Sequence, residues 1–73
     1  MFKLRKIEET TEYVKYEYIG DDNISGTVIV HKVTGLITID EHGRNPFIYH
    51  IRKRMEKYYK EGNYPDSGII AIY

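Results

Sequence analysis

Between residues 12 and 19 the chain reads Glu-Tyr-Val-Lys-Tyr-Glu-Tyr-Ile, an alternation that places Val14, Tyr16 and Tyr18 on one side of a strand and Tyr13, Lys15, Glu17 and Ile19 on the other. A strand needs neighbours, and the next segments supply them. After the turn Gly20-Asp21-Asp22-Asn23, residues 24–33 form a second β-branched run, with Val28 and Val30 on one face and Ile29, His31 and Val33 on the other. A three-residue loop over residues 21–23 sets Tyr18, Tyr16 and Val14 against Gly26, Val28 and Val30. Gly26 is a candidate bulge.

Thr34-Gly35 separates Val33 from Leu36-Ile37-Thr38-Ile39, and a two-residue connection with glycine between β-branched runs reads as a hairpin. That hairpin pairs Val33 with Leu36, Lys32 with Ile37 and Val30 with Ile39. Val28, Val30, Ile37 and Ile39 then share one face, and a single apolar surface spans three strands. Eleven isoleucines against two leucines and one alanine agree with a sheet-dominated fold.

The pattern changes at Asn45-Pro46. Asparagine is a strong N-cap, proline suits the first helical position, and Gly62 stands where a glycine ends a helix. At 100° per residue Phe47, Ile48, Ile51, Met55, Tyr58 and Tyr59 fall in a stripe about 120° wide, which covers the sheet. Beyond the turn-rich Asn63-Tyr64-Pro65-Asp66-Ser67, residues 68–73 read as a buried strand returned to the sheet by the helical crossover. Residues 2–7 are either a separate strand or the start of a long bent strand with residues 12–19. The expected fold is therefore α+β: a mainly antiparallel sheet in β-β-β-α-β order, with a possible extra N-terminal strand and one helix on one face.

A chain of 73 residues makes one domain, 1–73, and buries roughly 60 to 65% of its unfolded surface, so its core is thin. Without cysteine there is neither a disulfide framework nor a thiolate zinc site. The chain starts with no charged segment followed by an apolar one, and no apolar run approaches membrane-spanning length. It reads as a soluble, cytoplasmic protein without a membrane partner. Its net charge of zero argues against a dedicated duplex binder. Residues 46–61 nevertheless carry Arg52, Lys53, Arg54, Lys57 and Lys60 against only Glu56 and Glu61.

The stretch Ile39-Asp40-Glu41-His42-Gly43-Arg44-Asn45-Pro46 gathers acidic, basic and imidazole groups as a small active site would. With Ile39 pointing inward, Asp40 points out at a strand end and Glu41 and His42 enter a loop. A general acid or base needs burial or a fixed partner to shift its pKa, and such a loop supplies neither in full. An acid-base or metal cluster of Asp40 and His42 with His31 or His50 is thus the weakest functional reading. Gly43-Arg44-Asn45 at a helix start is a weak anion site, since every helix has such an end.

Two surfaces carry more. Tyr13, Ile19, Ile29, His31, Val33 and Leu36 make the outer sheet face too apolar for open solvent, and exposed apolar patches mark interfaces. Tyr49, His50, Lys53, Lys57 and Lys60 form a helix strip able to grip a phosphate backbone. The sequence reads as a small non-enzymatic binding or assembly domain for a protein partner or a second copy of itself, using the outer sheet face or an edge strand. A single-stranded nucleic-acid binder is the alternative. No catalytic residue, cofactor or metal ligand is assigned.

Overall fold

The computed structural model describes residues 1–21, 24–40 and 47–71, which form five strands and one helix. In chain order these are β1 (Phe2–Glu9), β2 (Tyr13–Ile19), β3 (Ser25–His31), β4 (Ile37–Asp40), α1 (Ile48–Glu61) and β5 (Ser67–Ile70). All pairings are antiparallel and the sheet order is β4-β3-β2-β1-β5. The α+β architecture expected from the sequence is present. The N-terminal segment is a separate strand that turns back onto β2 through Thr10, whose hydroxyl accepts the N–H groups of Glu12 and Tyr13, both at 3.1 Å.

The β2–β3 register matches expectation: Val14 faces Val30, Tyr16 faces Val28 and Tyr18 faces Gly26. The β3–β4 register differs by two residues, with Val30 opposite Ile37 and Val28 opposite Ile39. Lys32, Val33 and Thr34 belong to the turn rather than to a strand. The His31 N–H donates to Leu36 O at 2.9 Å and the Gly35 N–H to His31 O at 2.8 Å, so four residues, not two, close the hairpin. Gly35 has φ +78°, and Tyr59 lies 2.9 Å from where its Cβ would stand. A slip of two preserves the pleat's parity, and the same side chains still face inward.

Gly26 is not a bulge, because pairing runs unbroken through it. Its missing side chain makes room for the Tyr18 hydroxyl, which would lie 2.5 Å from a Cβ there. The irregularity falls instead on β1, where Ile7 is the extra residue between Lys6 opposite Tyr16 and Glu8 opposite Lys15.

Helix α1 begins at Ile48, and Phe47 precedes it without a side-chain cap. The expected Asn45 cap and Pro46 start lie outside the described residues. At the other end Gly62 takes φ +65°; its N–H bonds to Tyr59 O at 3.2 Å and that of Asn63 to Tyr58 O at 3.3 Å, the double closure a left-handed glycine permits. Ile51, Met55 and Tyr58 of the predicted stripe are buried, Phe47 and Ile48 are partly so, and Tyr59 lies at the margin.

The core lies between α1 and the inner sheet face, built from Phe2, Leu4, Val14, Tyr16, Tyr18, Val28, Val30, Ile37 and Ile70 against the helix. Buried tyrosines need partners for their hydroxyls. Tyr16 donates to Pro65 O at 2.6 Å and Tyr18 to Asp40 O at 3.2 Å. Burial pushes the Tyr16 phenol well above its ordinary pKa. One rim is closed by ions: the Lys6 ammonium meets Glu9 at 2.7 Å, Asp66 at 3.1 Å and Tyr64 O at 3.0 Å, while Lys32 meets Glu9 at 2.7 Å.

Candidate functional site

Because α1 covers only one side of the sheet, the other side is a ready-made surface, and the registers dictate its rows. Ile69, Lys3 and Ile19 lie side by side across β5, β1 and β2. Ser67, Arg5 and Glu17 form the next row, with Arg5 and Glu17 joined at 3.1 Å. At the far end Tyr13 faces His31, which is bonded through its backbone to Leu36.

The six outer-face residues named from the sequence therefore do not form one patch. Tyr13, His31 and Leu36 share a row with Ile29 beside it, whereas Ile19 stands about 20 Å away along β2, six residues at the usual strand rise. Lys15, Glu17 and Arg5 lie between the two ends. Tyr13 is half-buried and its hydroxyl donates to the Glu8 carboxylate, a bond that raises the phenol's pKa. Val33 is 79% exposed, but it belongs to the turn.

The Ile19 end is the more developed surface. A shallow depression of about 670 Å³ is lined there by Lys3, Arg5, Glu17, Ile19, Ser67 and Ile69 among others. Ile19 is 50% and Ile69 57% exposed, and Lys3 stands between them with no acceptor among the described residues. Lys3 and Ile69 were not among the residues named from the sequence. The alternation Phe2-Lys3-Leu4-Arg5 held the signal for Lys3, but only the meeting of β1 with β5 brings Ile69 beside it.

On α1 the strip Tyr49, His50, Lys53, Lys57 and Lys60 is exposed throughout. The Tyr49 ring contacts His50 edge-on at 5.6 Å between centroids, and the Lys53 ammonium sits 5.6 Å from the same ring. Glu56 and Glu61 share a groove of about 400 Å³ with Lys53, Lys57 and Lys60 and dilute its charge. Arg52 is turned to the sheet and donates to Ile37 O at 3.3 Å.

Asp40, His31 and His50 are not brought together. Asp40 lies opposite Thr27, four residues or about 13 Å along β3 from His31, and His50 is on the helix, across the sheet. His42, Glu41 and the Gly43-Arg44-Asn45 anion site lie outside the described residues. Among the described residues no three His, Asp or Glu side chains are grouped as metal ligands, and no helix is long and apolar enough to cross a membrane. Comparison of the chain with protein-family models, curated proteins and solved structures returned no match.

Proposed function

We propose that this chain is a small non-enzymatic binding or assembly domain that takes a protein partner, or a second copy of itself, on its outer sheet face or at an edge strand. The observation that carries the reading is the row Ile69–Lys3–Ile19, two half-exposed isoleucines flanking an ammonium that has no acceptor among the described residues, across three adjacent strands. The two isoleucines expose apolar area beside the polar groups of Lys3, Arg5 and Glu17, and exposed apolar area on a sheet face marks an interface. The test is capture from an extract of the source cell by the parent and by Ile19→Lys. Proteins retained by the parent should be lost by Ile19→Lys and kept by a Lys53→Glu/Lys57→Glu variant. Capture indifferent to Ile19→Lys removes this face.

A second reading rests on Tyr49, whose exposed ring beside Lys53 and His50 could stack a base while Lys57 and Lys60 meet phosphates. Each neutralised phosphate of a single strand steepens the log–log salt dependence by about 0.7, so three lysines give a slope of about 2. Lys53→Glu/Lys57→Glu should then abolish oligonucleotide binding. Binding that ignores both salt and these reversals removes the strip.

A further inference from the structure

The two edges of the sheet differ in what becomes of their outward backbone groups. In an antiparallel ladder the N–H and C=O of one residue point to the same neighbour, and the direction alternates along the strand. On β4 the bond from His31 N–H to Leu36 O means that Thr38 and Asp40 also bond inward to β3, while Ile37 and Ile39 turn outward. Arg52 already holds Ile37 O. On β5 the bond from Lys6 N–H to Asp66 O at 2.8 Å places Gly68 and Ile70 on the ladder with β1, so Ser67 and Ile69 turn their N–H and C=O groups away from it, and Ala71, the residue after the strand, is next in that alternation. Nothing among the described residues bonds to those groups. Residues 67–71 contain no charge and no proline, the usual guards of an open edge.

We propose that β5 pairs with β5 of a second copy, antiparallel about a two-fold axis at Ile69, joining two five-stranded sheets into one of ten strands. This rests on the assembly reading above and names its occupant. The free groups are symmetric about Ile69: Ser67 of one copy meets Ala71 of the other, and Ile69 meets Ile69, so the edge is its own complement. On the outer face the row Ile19–Lys3–Ile69 continues as Ile69–Lys3–Ile19, with apolar side chains at the junction and no like charges directly opposed. A net charge of zero leaves no long-range repulsion between copies. The Arg52 contact obstructs the β4 edge, which disfavours β5-to-β4 stacking into an open filament and leaves the closed two-fold pair.

The test is sedimentation of the full chain from micromolar to millimolar concentration, with amide hydrogen exchange at both ends of that range. The expected result is a monomer–dimer equilibrium in which the amides of Ser67, Ile69 and Ala71 gain protection with concentration, while those of Gly68 and Ile70 are protected throughout. Ile69→Pro removes an outward donor, which an edge strand tolerates, and should weaken the dimer by at least about tenfold; Ile19→Lys should leave it intact. Association lost in Ile19→Lys but kept in Ile69→Pro overturns the edge pairing and retains the binding face. A strict monomer with fast exchange at Ile69 overturns the pairing while the capture experiment still decides the binding reading, and unlimited growth overturns the two-fold arrangement. If Ile69→Pro fails to fold, the parent's exchange pattern decides alone.

Discussion

Tyr18 and Ile19 are neighbours on β2, yet the first is 1% and the second 50% exposed. The difference is the pleat: alternate side chains go to opposite faces, and one helix can cover only one of them. On the inner face shape is decided to the ångström, with a glycine where a ring must sit and a backbone carbonyl for each of two tyrosine hydroxyls. On the outer face Lys3, Ile19, Ile69 and Leu36 are open to solvent above the sheet. The inner face should therefore answer to stability and the outer face to association.

The largest effect is expected where α1 meets the sheet. Ile51 and Met55 are fully inaccessible, and truncating either to Ala should cost about 2 to 5 kcal/mol. In a domain of this size that is a large fraction of the total stability and should lower the Tm steeply. Chemical denaturation checks it; a parent-like midpoint in both variants would break the contrast between faces.

Next comes Gly26→Ala. The added Cβ would stand 2.5 Å from the Tyr18 hydroxyl and 2.7 Å from Asp40 O, a backbone atom, so the site is overpacked and the Tyr18–Asp40 bond disturbed. A loss of about 1 to 3 kcal/mol is expected, read as a shift in denaturation midpoint.

The ionic rim gives a pH dependence. Hydrogen bonds from Lys32 and Lys6 hold the Glu9 carboxyl down from 4.5 to about 2. A depressed carboxylate stabilises the fold above its unfolded pKa, and that contribution fades as pH falls through 4.5 toward 2. Glu9 and Asp66 raise the pKa of Lys6, and burial raises that of Tyr16; both contributions are complete below the unfolded values and lost as pH rises through the folded ones. Thermal melts across pH should show losses at both ends, and Glu9→Gln should flatten the acid limb. An acid limb unchanged by that substitution would detach Glu9 from the rim.

The smallest effect belongs to the outer face. Ile19→Ser and Leu36→Ser should each change stability by no more than about 0.5 kcal/mol. A loss comparable to that of Ile51→Ala would mean the face is covered within the monomer.

The inner face was readable because it depends only on period. Alternation together with the hairpin pairing puts Val14, Tyr16, Tyr18, Val28, Val30, Ile37 and Ile39 inward; all are buried except Ile39, which is partly so. Even the wrong β3–β4 register left them in place, since it was wrong by an even number. The β2–β3 register and the helix-ending glycine at 62 follow from local signals, and the structure has both. The outer surface was less legible. Alternation named Ile19 and Tyr13 together, but the charged rows between them follow from pairing.

By itself, then, the sequence determined which side chains of β2, β3 and β4 face inward and where the helix lies, because those properties are set by dihedral preference and by periods of 2 and 3.6 residues. Tertiary structure alone decided that β1 lies between β2 and β5, that Ile7 is the bulge, that Gly26 yields to Tyr18, and that Lys3 meets Ile69 and Ile19 in one row. Each is a contact between residues distant along the chain. Which distant pairs meet is selected by the competition of all strands for one helix-covered face, and no local pattern encodes that choice.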